Sequence, residues 1–372
     1  MTRPLRLGRI FGFAIEVDYT WFLVFALVAV SLASGYLPSK LPRIPAATRA
    51  LAGGVATLLF FASVLAHEIS HSLVARWQGL KISGITLFIF GGVAKLSEEP
   101  RSPRAEFLIS AAGPLTSLLL AAVFLALHFF LQPFHELAGI VFRWLGLANG
   151  MLAIFNLAPG FPLDGGRLLR ALLWRATGSL SRATRIASLA GQGLGIALIA
   201  FALLAFVGGD HVGGLWLAFI GWFLMQAAQG GYRQLLLRQA LSNIKVSQIM
   251  TPQVAWLPAG ITLEQLFSDY FLVLNFAAFP VLDRERVVGL LHLAHARAVP
   301  RERWPTATVG EIVPPLQPEQ TISPWQDAWE ALVRMMGGNQ GRLLVMEEGR
   351  LQGILSRSDI MRVLRARLDL GP

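Results

Sequence analysis

The chain has no cysteine among its 372 residues. Disulfides and thiolate-held metals are excluded, so any bound metal must rest on His, Asp or Glu. Charge is scarce too, with 15% charged residues against 54% hydrophobic. That balance excludes an ordinary soluble protein and points to a membrane protein, with the lipid bilayer as its surroundings. The net charge of +10 does not point to nucleic acid. Nucleic-acid binding needs a basic stripe interleaved with aromatics. The arginines here cluster instead beside apolar runs, as membrane-loop anchors do.

Long uncharged runs take the place of charge. Trp21–Leu37, Ala50–Ala66, Phe107–Phe134, Trp144–Leu163, Ile186–Gly209 and His211–Tyr232 are each near the ~20 residues that cross a bilayer. They predict six spans, about 19–37, 50–74, 106–132, 137–163, 186–208 and 211–232. The first ends near Ala33-Ser34-Gly35, a signal-peptide-like site. The membrane segments that follow favour a retained helix. The fourth is broken by Pro159 and Pro162, which is tolerated where backbone is buried in protein or lines a wet cavity. Arg3, Arg6 and Arg9, the Arg76–Arg104 loop, the Arg167–Arg185 loop and Arg233 with Arg238 all fall on one side of six spans. Lys40, Arg43 and Arg49 are a mild exception. The positive-inside rule predicts a multi-pass protein of the cell membrane with both termini cytoplasmic. Between spans two and three, Lys81–Lys95 (KISGITLFIFGGVAK) is rich in β-branched and aromatic residues around Gly91-Gly92. It predicts a β-hairpin or short strands. An exposed strand edge there could pair with an extended peptide; the alternative is a purely structural hairpin.

The second run leads into His67-Glu68-Ile69-Ser70-His71, an H-E-x-x-H pattern. Residues at i and i+4 share a helix face, so both imidazoles can reach one metal ion. Glu68 stands beside the first of them and can hold a proton from metal-activated water. Composition alone produces this pattern in roughly one chain in 200. The alternative is two hydrogen-bonded histidines near a membrane surface. Three ionisable groups in five residues of a membrane helix need a shared reason, however, and a metal supplies one. A catalytic zinc usually has three protein ligands. Asp164, in Asn156-Leu-Ala-Pro-Gly-Phe-Pro-Leu-Asp-Gly-Gly-Arg167, is the strongest candidate for the third, with helix capping as its alternative. Asn156 could donate to an oxyanion or to a substrate backbone, or simply bond between helices.

At these residues the chain resembles the site-2 protease family of intramembrane zinc metalloproteases, over roughly residues 8 to 235. HEISH and NLAPGFPLDGGR resemble its two metal-site motifs. TLFIFGGVAKL resembles its hairpin, and AAGPLTS its G-P segment, with Ser117 where the family often has Asn. The resemblance implies one zinc per chain, held by His67, His71 and Asp164. It implies Glu68 as general base, and Asn156 as a substrate or oxyanion contact. Gly91 and Gly92 would hold an unwound strand. The family cuts membrane-spanning helices of regulatory proteins, so a single-span membrane protein is the expected substrate.

After Lys245 the sequence repeats loosely at an offset of about 63 residues. Val246-Ser-Gln-Ile-Met aligns with Val309-Gly-Glu-Ile-Val. Phe279-Pro-Val-Leu-Asp aligns with Leu343-Leu-Val-Met-Glu. Each unit reads as strand, helix, two strands, helix, and the pair resembles tandem CBS modules. Gly353-Ile-Leu-Ser-Arg-Ser-Asp359 resembles their adenine-nucleotide element, which implies Ser356 on phosphate and Asp359 on ribose hydroxyls. A helix cap is the alternative for Ser356. The first unit has His292 and His295 at the matching positions.

The expected fold is membrane α-helical: six transmembrane helices with a short membrane-associated β-hairpin, plus a cytoplasmic α/β tandem CBS module. The expected divisions are a protease domain at 1–235, a linker at 236–244, and CBS modules at 245–305 and 306–372. The leading function is an intramembrane zinc endopeptidase of regulated intramembrane proteolysis, tuned by a CBS pair that could bind nucleotide or form a homodimer. The alternatives are a CBS-regulated ion transporter or channel, and a non-catalytic sensor with a degenerate zinc site.

Overall fold

The computed structural model describes residues 4–89, 91–96, 99–271, 278–284, 286–338 and 340–369. The chain divides into two units, Met1–Arg233 and Gln234–Pro372.

In the first unit, six helical stretches are long and apolar enough to cross a membrane. The first joins α1 (Tyr19–Ser31) through a π-helical segment, Leu32–Tyr36, to α2 (Leu37–Lys40). The others are α3 (Ala46–Trp77), α4 (Pro103–Leu131), α5 (Glu136–Asn156), α7 (Leu180–Val207) and α8 (His211–Leu241). Leu119, Phe129, Leu204 and Val207 stand exposed on them, as lipid-facing side chains do. A short helix, α6 (Asp164–Thr177), lies between α5 and α7.

The fourth span ends at Asn156, seven residues short of the expected boundary. Pro159 and Pro162 cannot donate the backbone hydrogen bonds that would continue it. The segment that follows is anchored elsewhere, for the Phe161 N–H donates to the Ala187 carbonyl of α7 at 3.1 Å. It then doubles back closely. A Cβ at Gly165 would collide with the Leu157 backbone, and one at Gly166 with Gly160. The Asp-Gly-Gly sequence is thus the start of a helix laid against its own incoming loop.

The expected hairpin is present as β3 (Ile82–Phe88) and β4 (Gly91–Leu96), paired antiparallel. Phe90 lies outside the described residues. Two strands that the sequence reading left as a basic N-terminal segment join it. These are β1 (Leu5–Ile10) and β2 (Phe13–Val17), and they complete a sheet of order β1-β2-β3-β4 with β2 parallel to β3. Phe13 and Ile15 of β2 and Ile85 of β3 are buried against Leu65, Ile69 and Leu73 of α3. The sheet is therefore fixed to the helix that carries both histidines.

The second unit holds two three-stranded sheets. One is made of β5 (Leu257–Pro258), β6 (Ala278–Asp283) and β7 (Arg286–His292). The other is made of β8 (Thr321–Ile322), β9 (Arg342–Glu347) and β10 (Arg350–Ser356). In each, the first pair is parallel and the second antiparallel, which is the strand, helix, two-strand repeat read from the sequence. The leading segments are exchanged. Val246, which precedes the first sheet, is buried with Leu343, Val345 and Leu355 of the second. Val309, which precedes the second sheet, is buried with Leu257, Phe279 and Val281 of the first. Backbone bonds seal both exchanges: Val246 N–H to Gln326 O at 2.9 Å, and Val309 N–H to Ile261 O at 2.9 Å. The stretch expected as a linker, 236–244, is helical as far as Leu241, and Leu241 and Ile244 are buried in the same cluster as Val246.

Candidate metal centre

His67 and His71 lie one turn apart on α3, and both are buried. Each imidazole is held by its Nδ1. The His67 Nδ1 is 2.9 Å from Ser117 Oγ, and the His71 Nδ1 is 2.6 Å from the Ile109 carbonyl. A carbonyl only accepts, so His71 carries a proton on Nδ1 and its Nε2 faces inward. The two Nε2 atoms are 3.2 Å apart. Asp164 Oδ2 completes the triangle at 3.1 Å from His67 Nε2 and 3.2 Å from His71 Nε2. The Asp164 carboxylate is not capping its helix. The N-cap of α6 is Leu163, which makes no side-chain cap bond.

Three electron-rich atoms converge on one point, and the donor atoms lie within 4.8 Å of one another. That arrangement is well suited to a cation. Two imidazoles and one carboxylate suit zinc and leave a position open. The residues present therefore fit the metal that this donor set implies. Outer partners that hold the rings in place are what a histidine–metal site requires.

One face of α4 assembles this centre. Ile109 and Ser117 hold the two imidazoles. Between them lies Gly113, where a Cβ would run into the Nε2 atoms of both His67 and His71. One turn before Ile109, buried Glu106 pairs with Arg170 of α6, the Arg170 Nε–Glu106 Oε1 distance being 2.6 Å. Sequence reading noted Ser117 only as a departure from a pattern and assigned nothing to Ile109, Gly113 or Glu106. The one available signal was Glu106, an acid at the edge of a long apolar run.

The other sequence-derived residues fall in three places. Glu68, half-buried, receives a hydrogen bond from the Gly92 N–H at the start of β4. A Cβ at Gly92 would overlap the Glu68 side chain, so strand and acid touch directly. Gly91 is next to it, with φ of +123°, a backbone state that disfavours any larger residue. Asn156 is at the end of α5, where its Nδ2 donates to its own helix at Leu152 O, 3.0 Å away.

Ser356 and Asp359 lie in the second unit and are bonded to each other. Asp359 Oδ2 accepts from Ser356 Oγ at 2.5 Å and from the Ser356 N–H at 2.9 Å, while Arg362 takes Oδ1 at 2.5 Å. This is a cap on the Arg357–Asp369 helix. Both residues also line a cavity of about 210 Å³, together with Arg342, Thr251 and Gln253. The first repeat builds the equivalent cap with histidines, the His292 N–H donating to His295 Nδ1 at 3.3 Å. Burial and the neighbouring charges of His295 and Arg342 hold His292 below the usual histidine range.

A buried two-histidine, one-carboxylate centre among helices long and apolar enough to cross a membrane marks a candidate membrane metalloprotein. Comparison with known proteins narrows the class. The model of peptidase family M50 matches residues 55–143 and 133–201, and the CBS domain model matches 246–300 and 309–366. The Mycobacterium tuberculosis protein Rip3, provisionally named a zinc metalloprotease, is 39% identical over 98% of this chain and 93% of its own. Zinc metalloprotease MJ0392 of Methanocaldococcus jannaschii is 30% identical over 98% of this chain and 97% of its own. Among solved structures, a site-2 protease from Methanocaldococcus jannaschii matches with 32% identity and a TM-score of 0.45. It covers 62% of this chain and 96% of that one. The chain belongs to peptidase family M50, the site-2 protease zinc metalloproteases, and carries tandem CBS domains. Membership favours the peptidase reading over ion transport.

Proposed function

We propose that the protein cleaves membrane-spanning segments of single-span regulatory proteins by hydrolysis within the bilayer. The observation that carries this reading is the convergence of His67, His71 and Asp164 beside Glu68, with β4 touching Glu68. Zinc, when held by those three residues, supplies the Lewis acid that activates water and polarises a peptide carbonyl. Glu68 accepts the proton of the attacking water and delivers it to the leaving amine nitrogen. The Gly92 N–H donates to its carboxylate and restrains it. Among the described residues β4 is an edge strand with β3 as its one neighbour, so its outer side offers unpaired backbone. An extended substrate segment adds there as a further strand, at Gly91 and Gly92, which brings its carbonyls past Glu68. Asn156 keeps one amide hydrogen and its side-chain oxygen for the same substrate.

Both termini lie in the cytoplasm in this reading, and the CBS unit tunes substrate access. The cavity beside Arg342 and Ser356 would take an adenine nucleotide, with the Ser356–Asp359 bonds opening to receive it. A homodimer through the CBS unit is a second route to the same control.

The metal reading is tested by the zinc content of detergent-purified full-length protein. One tightly held zinc per chain is expected, falling to near zero in His67→Ala and in Asp164→Ala. A folded wild type that takes up no zinc after supplementation would remove the basis of the proposal.

A further inference from the structure

We propose that Glu106 and Arg170 are positioning residues for the third metal ligand, setting how tightly the centre holds zinc. The inference rests on the metal reading given above. It starts from cost: Glu106 is 1% exposed and Arg170 is 7% exposed. Removing two charges from water is expensive, and packed apolar side chains of like volume often serve stability as well or better. A buried pair is therefore weak support for a stability role and invites a search for what its geometry fixes.

What it fixes is α6 against α4. Arg170 directs both Nε and Nη2 to Glu106 Oε1, and its guanidinium lies 5.0 Å from the centre of the Phe161 ring. Phe161 belongs to the loop that leads into Asp164. Arg170 thus grips the helix that begins with Asp164 and the loop before it, and ties both to α4. Spacing supplies the rest. Glu106, Ile109, Gly113 and Ser117 follow one another at intervals of 3, 4 and 4 residues, which is a single helix face. Ile109 and Ser117 orient the two imidazoles, and Gly113 makes room for them. Glu106 is the member of that face that reaches the carboxylate's helix. All three ligands are referred to one rigid element, and the Glu106–Arg170 pair is the link for Asp164. The Glu106 Oε2 atom is buried with no hydrogen-bond partner among the described residues. The carboxylate is thus committed to Arg170 through one oxygen instead of being spread over several stabilising bonds.

The test is zinc affinity of the purified full-length protein, measured by chelator competition. Glu106→Gln combined with Arg170→Gln removes both charges together and leaves neither uncompensated. This double variant is expected to bind zinc at least tenfold more weakly than wild type, with apo protein that still melts cooperatively. In Asp164→Ala the two remaining imidazoles no longer retain zinc through purification but still bind added zinc weakly, and there the same two changes are expected to alter affinity, read with a weak chelator, less than twofold, because the pair acts through Asp164. Unchanged zinc affinity in the folded double variant would overturn the inference. So would an equal loss with and without Asp164, which would mark a general loosening of the bundle. If the double variant does not fold, Glu106→Asp, which keeps the charge but shortens the reach, is put through the same two backgrounds. Wild type that binds no zinc defeats the metal reading itself; wild type that binds zinc beside an unaffected double variant defeats this inference alone.

Discussion

Glu68→Gln is expected to lower cleavage of a single-span reporter by ~10²–10⁴-fold, the range that a general base contributes. The glutamine has nearly the same shape and can still accept from the Gly92 N–H, so β4 keeps its place. What it loses is the ability to take and return a proton. Glu68 is outside the donor triangle, so zinc content is expected to stay at the wild-type level. Full-length protein reconstituted with a reporter and assayed by gel, beside metal analysis of the same sample, reads both quantities. Cleavage within tenfold of wild type would assign the proton transfer to another group. Loss of zinc together with activity would make Glu68 a structural part of the metal site.

Gly113→Ala is expected to have the second large effect, lowering both zinc binding and stability. In the interior of a helix, alanine is favoured over glycine by ~1 kcal/mol. At Gly113, however, the new methyl group would occupy the space of both Nε2 atoms. The imidazoles cannot retreat without giving up Ser117 and the Ile109 carbonyl, because their Nδ1 atoms are bonded there. Zinc bound per chain is expected to drop below about a tenth of wild type, with cleavage falling in proportion, since all three ligands are needed for the open tetrahedral site. The same clash is present without the metal, so the apo protein is expected to melt below wild-type apo protein, the overpacking outweighing the gain in helix propensity. Zinc retained at full occupancy in Gly113→Ala would show that the site repacks and that α4 does not set its dimensions.

The sequence disclosed the parts of this centre that are unusual for their surroundings. His67, Glu68 and His71 stand out because ionisable groups are rare in an apolar helix, and Asp164 because it closes an uncharged run. The parts that hold them are ordinary by composition. The Ile109 contribution is a backbone carbonyl, which every residue has. Gly113 reads equally well as a helix-packing glycine. Glu106 and Arg170 are 64 positions apart, and only the crossing of α4 and α6 makes them partners. The N-terminal strands escaped notice because Leu5–Ile10 carries two arginines in six residues and is wholly exposed. Phe13–Val17, too short to stand out beside that segment, packs Phe13 and Ile15 on α3. Ser356 and Asp359 show a different limit. A helix cap and a ribose contact call for the same two residue types at the same spacing, and the cap is what the structure contains.

The exchanged segments of the second unit bear on what such a chain can lose. Val246 completes the core of the later repeat and Val309 that of the earlier one. Neither repeat is portable. A stop codon between them, or a deletion of either, would strip the survivor of the leading segment that fills part of its core. Each repeat draws part of its core from the other's leading segment, so the two stand or fall together.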